Sequence, residues 1–177
     1  MNEYSFTLKF NVPKADDLEA LSASLYEGGC DDAAIGIGVP GRISLFFTRE
    51  SDSASDAVLS ALENVKTVVP EAKLTEAAPD LVGASDIAKI LSCSRQNIQK
   101  MAKQSNNFPA PVYVDQEGGR KSTLWHLSSV LNWSMENRSF HDNVLYDLSS
   151  MTMTINLNNR PDSYMADVEE EIRLLMA

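Results

Sequence analysis

The residues of this sequence best suited to binding chemistry form a polar row between Arg95 and Lys103. Gln96, Lys100 and Lys103 recur at i, i+4 and i+7, which places them on one face of a helix. Their polar neighbours are Arg95, Asn97 and Gln99. Amides can pair with the edge of adenine, and Lys and Arg can reach guanine or phosphate. The row therefore predicts a surface that recognises double-stranded DNA.

The elements that position this row are two short helices separated by a turn, within residues 85–104. A helix-turn-helix needs a small residue at the crossing, and Ala88 supplies it. Ser94 is placed to cap the second helix, predicted over residues 95–105, and Ser92 occupies a turn position where glycine is common. The residues expected to make the buried contacts are Ile87, Leu91, Cys93, Ile98 and Met101.

A hairpin, or wing, is predicted after the second helix. Residues 112–114 and 122–125 are short strand patterns around the tip DQEGGRK. The two glycines of the tip permit a tight turn, and Arg120 and Lys121 would project toward the DNA backbone or minor groove. Ser128 is then expected to cap a helix through about Asn137, with Val130, Leu131 and Trp133 on its inner face.

The charge of the chain differs sharply between its segments, although the net charge is -10. Residues 1–80 carry six Lys/Arg against 14 Asp/Glu, residues 81–135 carry six against three, and residues 136–177 carry three against eight. The predicted DNA-binding segment is thus the basic one. Non-specific affinity for nucleic acid depends on clustered cations. Because the chain as a whole is acidic, this affinity is expected to be weak.

The first 78 residues show a β-α-β-β-α-β pattern. Residues 4–12 alternate as a half-buried strand, residues 14–27 form a helix ended by Gly28-Gly29, and residues 33–39 and 42–48 form a hairpin. A second helix over 51–69 and an edge strand over 72–77 complete the set. Two helices on one face of a four-stranded antiparallel sheet is the packing that this order favours.

The last segment, residues 139–177, combines two patterns. Residues 151–157 alternate as M-T-M-T-I-N-L, which predicts a strand, and residues 164–176 have helical spacing. Neither element can bury its apolar side alone. The tail is therefore expected to pack on another domain, a second subunit or a different protein.

The middle segment, residues 81–138, resembles a known family. LVGASDIAKILSCSRQNIQKMAKQ, FPAPV, GGRKSTLW and HLSSVLNWSMEN are similar to the winged helix-turn-helix of AlpA-type and excisionase-like regulators, which are related to the DNA-binding head of the MerR family. The resemblance implies DNA binding, with the segment from Arg95 to Lys103 as the reading helix and Arg120-Lys121 as the wing contact. A MerR head is followed by a long dimerisation helix, which this pattern lacks, so MerR-like ligand sensing is not implied.

The N-terminal segment is similar in pattern to ferredoxin-like or ACT-like domains, through FTLKF, YEGGCDDAAIGIG and GRISLFFTRE. Such domains dimerise, bind a small ligand or grip a partner protein, so the pattern leaves its role open. The expected fold class is α+β: a ferredoxin-like sandwich over 1–78, a winged helix-turn-helix over 81–138 and a short strand-helix extension over 139–177.

Several classes of protein are disfavoured by composition. No apolar run approaches the roughly 20 residues that span a bilayer, and MNEYSFTLKF lacks the features of an export signal, so a cytoplasmic location without membrane contact is expected. Cys30 and Cys93 are expected to be buried thiols. His126 and His141 have no carboxylate or cysteine at the spacing of metal ligands. No metal or cofactor is expected, and no acid, base or nucleophile set indicates an enzyme.

The residues therefore predict a sequence-specific transcriptional regulator, a repressor or autoregulator of a small operon. A single small reading unit gives a short site, so a homodimer on two half-sites is expected, joined by the N-terminal sheet or the tail. The alternative is a protein-interaction module, such as an antitoxin or adaptor, whose acidic N-terminal domain or C-terminal tail binds a basic protein partner.

Overall fold

The computed structural model describes residues 1–13, 18–115, 122–159 and 168–176. Within them the chain is an α+β protein with a four-stranded and a three-stranded antiparallel sheet. The strands are Asn2–Asn11 (β1), Ala33–Val39 (β2), Arg42–Ser51 (β3), Lys73–Ala78 (β4), Leu81–Gly83 (β5), Tyr113–Val114 (β6) and Thr123–His126 (β7). The helices are Leu18–Glu27 (α1), Ala54–Val68 (α2), Ala84–Ile90 (α3), Arg95–Gln104 (α4), Leu127–Asn137 (α5), Asn143–Asn158 (α6) and Glu169–Met176 (α7).

The first sheet has the strand order β2-β3-β1-β4, and its elements follow the chain order β-α-β-β-α-β. Along β1 the alternation read from sequence separates two faces: Tyr4, Phe6, Leu8 and Phe10 are buried, whereas Glu3 and Ser5 are exposed. The buried face packs against Leu25 of α1 and an apolar stripe of α2. Apolar burial on one side only is what the period of two predicts.

Local signals set the ends of the first elements. The hairpin between β2 and β3 turns at Gly41, whose φ of 82° is left-handed. α1 ends at Glu27 and Gly29 follows with a φ of 91°, as the glycine pair predicts. α2 begins after Ser53, whose side chain accepts a hydrogen bond from the N–H of Asp56. Residues 14–17, where α1 was predicted to begin, lie outside the described part of the chain.

The second sheet contains a strand that the sequence did not predict. β5 directly follows the linker between the two predicted domains, Pro79-Asp80, and pairs with β7, with Leu81 opposite His126 and Val82 opposite Trp125. Three residues are too few to show an alternating pattern, so pairing with a distant strand decides their conformation. The first helix of this segment therefore begins at Ala84, directly after the strand.

A second hydrophobic core lies under α3, α4 and α5. The Pro-rich step after α4 places Phe108 between two indoles, with ring centroids 5.9 Å from Trp125 and 4.9 Å from Trp133. The indole N–H of Trp125 donates to the carbonyl of Pro109 at 3.1 Å. Val130, Leu131 and Trp133 are buried on α5, as predicted. The aromatic cluster fixes the step that leads from α4 to β6.

Two smaller expectations were wrong. Ser128 does not cap α5, because the helix begins one residue earlier and Ser128 is buried inside it, donating to the sulfur of Met153 at 3.3 Å. The residue that precedes the helix, His126, makes no side-chain cap bond. Cys93 is only partly buried, whereas Cys30 is buried as expected.

The predicted strand over residues 151–157 was also wrong, because these residues belong to helix α6. Asp142 caps this helix by accepting from the N–H of Leu145 at 2.9 Å. Val144, Leu148, Met151 and Ile155 then recur at i, i+4, i+7 and i+11 and pack on the first core. These residues form a helix and not a strand because the helical spacing extends over three turns and its apolar face packs on the first core.

Helix α6 connects the two cores. Its residues Leu148 and Ile155 pack on the first core, and Leu145 and Tyr146 pack on the second. Asn156 reaches the linker, where its side-chain amide donates to the carbonyl of Ala77 at 2.7 Å and to the carboxylate of Asp80 at 2.8 Å. This part of the C-terminal segment is therefore packed against the rest of the chain.

The end of the chain is different. In α7 the apolar side chains Leu174, Leu175 and Met176 are 74–87% exposed. The predicted start of this helix near residue 164 falls within residues 160–167, which lie outside the described residues. The predicted helix is present from Glu169 onward with its apolar residues in solvent.

Candidate nucleic-acid interface

The crossing of α3 and α4 forms where the sequence placed it. Ala88 is 5% exposed, which lets the two helices approach closely, and Ile87 and Ile98 are fully buried on either side. Leu91 is buried as well, while Cys93 and Met101 are partly buried against the same core. Apolar contacts therefore fix the angle at which α4 presents its outer face.

The turn between the helices depends on a left-handed residue. Ser92 has a φ of 50°, the conformation that glycine adopts without strain. The turn is closed by the N–H of Cys93, which donates to the carbonyl of Ala88 at 2.9 Å. Ser94 then caps α4, since its hydroxyl accepts from the N–H of Asn97 at 3.1 Å. The turn geometry read from the sequence is therefore present with serine in place of glycine.

Helix α4 divides into a buried and an exposed face. Ile98 is fully buried and Ala102 is partly buried, which turns the opposite side of the helix to solvent. The residues predicted to contact DNA that are exposed on this helix are Arg95, Gln96, Gln99, Lys100 and Lys103. Asn97 is only partly exposed. The predicted row of Gln96, Lys100 and Lys103 is thus accessible along its length.

A cleft of about 340 Å³ lies beside this row, between α3, α4 and β7. Arg95 and Gln99 form one wall, and the hydroxyl residues Ser85, Ser122 and Thr123 lie around the others. The sequence reading did not single out these hydroxyls, which only the approach of β7 to α3 brings together. A guanidinium, an amide and hydroxyls are donors that a phosphate can use.

The cations of α4 have no acidic partner among the residues that the structure describes. Within the described residues, Arg95, Lys100 and Lys103 take part in no ion pair. Asp86 lies in the cleft, where its carboxylate accepts from the N–H of Gly83 at 3.2 Å at the start of α3. An unpaired cationic face attracts a polyanion, and its attraction falls with added salt.

The predicted wing lies within the described residues only at its base. Val114 of β6 pairs with Thr123 of β7, and the N–H of Asp115 donates to the carbonyl of Ser122 at 2.8 Å. The predicted contacts Arg120 and Lys121 lie outside the described residues. The geometry therefore supports two antiparallel strands that lead to and from the predicted tip.

The described residues contain no group of three His, Cys, Asp or Glu side chains that could hold a metal ion. His126 instead pairs with the buried carboxylate of Asp80, with Nδ1 and Oδ1 2.6 Å apart. None of the described helices is both long and apolar enough to cross a bilayer.

Comparison with known proteins gives no relative to set beside these observations. No protein-family model, curated protein or solved structure matches the chain.

Proposed function

We propose that the protein is a sequence-specific DNA-binding regulator of transcription, acting as a repressor or autoregulator of a small operon. The observation that carries the proposal is the exposed row of Gln96, Lys100 and Lys103 on a helix whose opposite face is anchored by the fully buried Ile98. A rigidly seated helix with a polar outer face is suited to the major groove.

The proposed arrangement of the DNA-binding part is a winged helix-turn-helix. α3 and α4 supply the helix pair, and β5, β7 and β6 form the adjoining small sheet. The first 78 residues are proposed to be a ferredoxin-like domain, a proposal supported by their strand order β2-β3-β1-β4. The acidic first segment would weaken binding to DNA of arbitrary sequence and so raise the ratio of specific to non-specific affinity.

The proposed contacts divide into two kinds. Gln96, with Gln99, would form hydrogen bonds to base edges in the major groove. Arg95, Lys100 and Lys103 would neutralise phosphates, with Arg95 acting from the cleft beside β7. Arg120 and Lys121 remain proposed wing contacts. The first group would set the sequence that is bound, and the second would set most of the salt dependence.

The proposal is tested by fluorescence anisotropy on DNA from the region upstream of the coding sequence and on a scrambled duplex, across a salt series. Gln96→Ala is expected to lose about 1–3 kcal/mol on the specific duplex, with its preference over scrambled DNA reduced. Lys100→Ala is expected to weaken binding to both duplexes and to lower the salt slope by about one.

Lys89→Ala is the matched control, because Lys89 is exposed on α3 and is not part of the row. It is expected to bind like the unaltered protein. If all three variants bound each duplex as tightly as the unaltered protein does, α4 would be ruled out as the reading helix. Failure of the unaltered protein to bind DNA at low salt would rule it out as well.

A second candidate function is a protein-interaction module such as an antitoxin or adaptor. The observation that favours it is the solvent-exposed apolar end of α7, at Leu174, Leu175 and Met176. A segment that folds on its partner would be cut rapidly by protease in the isolated protein. Resistance of residues 160–177 to limited proteolysis would argue against this function.

A further inference from the structure

The outer face of the four-stranded sheet is open to solvent and has opposite charges at its two ends. This face contains the β1 and β3 side chains that alternate with the buried ones. At one end Glu3 of β1 lies directly opposite Glu50 of β3, and both are exposed. At the other end Asn11 lies opposite Arg42, which is also exposed. Like charges directly opposite each other on a sheet are destabilising, so the acidic end is unfavourable when it has no oppositely charged partner.

A large apolar side chain, Phe46, lies in the middle of this face, and Val39, 56% exposed, pairs with Arg42 at the basic end. Phe46 of β3 is 49% exposed and lies opposite Thr7 of β1 and Ala34 of β2. The register between β1 and β3 is continuous, so this row is four residues from the acidic row and four from the row of Arg42. At the rise of a strand each separation is about 13 Å.

We propose that this face binds the same face of a second copy of the chain, with the two sheets packed face to face and their strands antiparallel. The two-fold axis lies between the two sheets at the row of Phe46 and runs across the strands. It brings Glu50 of each copy opposite Arg42 of the other. It also places the two Phe46 rings in contact at the centre. The equal spacing of the charged rows about Phe46 is what a self-complementary interface requires.

The basic end also has a shape that can receive the partner's carboxylate. A concavity of about 380 Å³ lies there, lined by Lys9, Arg42, Ser44 and Glu76 among others. Lys9 and Glu76 are already paired, with Nζ and Oε2 2.7 Å apart. Arg42 makes no ion pair within the described residues, so it is the cation with which an incoming carboxylate can pair.

The charge pattern favours a second copy over the other occupants of an open sheet. The carboxylates of Glu3 and Glu50 would repel the phosphates of a nucleic acid lying along the strands. A copy placed parallel instead of antiparallel would set the acidic rows against each other. The antiparallel orientation is thus selected by the charges, and Phe46 supplies the apolar contact that exposed ion pairs do not.

The inference rests on the proposed function for its use, since a dimer would join two reading units on two half-sites. Its physical test needs only the protein. The full chain is expected to sediment as a dimer, at twice the 19.5 kDa chain mass, with a fraction of dimer that rises with concentration. Phe46→Lys is expected to give the monomer, because two lysines would face each other at the axis.

Leu59→Lys is the matched control for Phe46→Lys. Leu59 is 47% exposed, close to the 49% of Phe46, but lies on α2 on the other side of the sheet. It is expected to remain dimeric. Far-UV circular dichroism and the melting temperature of each variant identify any loss of dimer that comes from unfolding.

A charge exchange tests the orientation. Arg42→Glu and Glu50→Arg are each expected to raise the dimer dissociation constant by about tenfold or more, since each creates two like-charge contacts. An equimolar mixture of the two variants is expected to form a heterodimer, because both of its cross-copy contacts then join opposite charges. The double variant within one chain is expected to dimerise with itself for the same reason.

The outcomes separate the interface from the proposed function. A monomeric unaltered protein, a dimer that tolerates Phe46→Lys, or a mixture that fails to associate would each overturn the interface. None of these would affect binding of α4 to DNA, which anisotropy on a single half-site measures. Conversely, the protein could dimerise, respond to the charge exchange as expected and fail to bind DNA. That result would support the interface and reject the proposed regulator.

Discussion

Asn156 forms paired hydrogen bonds with the backbone of Ala77. The N–H of Ala77 donates to its Oδ1 at 2.8 Å, and its Nδ2 donates to the carbonyl of Ala77 at 2.7 Å. The two residues are 79 positions apart and belong to α6 and β4. A side chain of the last long helix therefore completes the backbone hydrogen bonding of an edge strand at the point where the chain leaves the first sheet.

We expect Asn156→Ala to lower the free energy of unfolding by about 1–3 kcal/mol, because it leaves two backbone groups and the carboxylate of Asp80 without this partner. Urea unfolding followed by circular dichroism measures the change. Asn158→Ala is the control, since Asn158 is exposed on the same helix and, among the described residues, its side chain bonds only to the carbonyl of Thr154. Equal losses for the two variants would contradict the role assigned to Asn156.

The ion pair of Arg49 with Asp32 gives a second prediction. Nε and Nη2 of Arg49 donate to the two carboxylate oxygens at 2.6 and 2.9 Å, and Nη2 also donates to the carbonyl of Gly29 at 2.8 Å. Lysine cannot reproduce this fork, so Arg49→Lys is expected to lower the free energy of unfolding by about 1–3 kcal/mol despite the kept charge. Arg95→Lys, at an exposed site, should change it by less than about 0.5 kcal/mol. Thermal unfolding of both variants provides the comparison.

The left-handed turn residue gives a third prediction. Valine is strained at the φ of 50° found at Ser92, so Ser92→Val is expected to lose about 1–2 kcal/mol of stability. Ser92→Gly should be neutral or stabilising, because glycine adopts this φ freely. The melting temperatures of the two variants are measured side by side. A tolerated valine would show that the turn does not need the left-handed conformation.

The cap of α4 gives a fourth prediction. Removing the hydroxyl that accepts from the N–H of Asn97 is expected to cost about 1 kcal/mol in Ser94→Ala, whereas Ser94→Asp should retain most of the stability. The loss should appear in hydrogen exchange as faster exchange in the first turn of α4. Unchanged exchange there in Ser94→Ala would contradict a stabilising cap.

Thiol reactivity gives a fifth prediction. Burial raises the pKa of the Cys30 thiol, and the nearby guanidinium of Arg49 opposes that rise only in part. A raised pKa keeps the thiol protonated, and the protonated form is a poor nucleophile. A thiol reagent at pH 8 is therefore expected to label the partly exposed Cys93 well before Cys30. Mass spectrometry of the labelled peptides identifies the order, and urea-unfolded protein should label at both.

Some elements could be predicted from local sequence because their signals lie within a few residues. The alternation of Tyr4 to Phe10 defines the buried face of β1, and the glycines near residues 28 and 41 place a helix end and a turn. The exposed row on α4 was found in the same way, because helical spacing alone separates it from Ile98. These features depend on backbone geometry and on the period of the side chains.

Other elements could not be predicted because distant residues decide them. β5 is a strand only because it pairs with β7, and α6 is a helix despite the alternation of residues 151–157 because its apolar stripe packs on the first core. The spacing from Val144 to Ile155 and the cap at Asp142 were signals of that helix, present in the sequence but overlooked when the strand was predicted from the shorter alternation.

The sequence alone determined the faces of β1 and α4, since hydrophobic periodicity separates buried from exposed side chains within each element. Only the tertiary structure decided which residues from different elements meet. It placed Ser122 and Thr123 beside Arg95, and it set Glu3 opposite Glu50 and Asn11 opposite Arg42 on the outer face of the first sheet. Those relationships depend on strand register and helix packing, which arise from contacts between residues far apart in the chain.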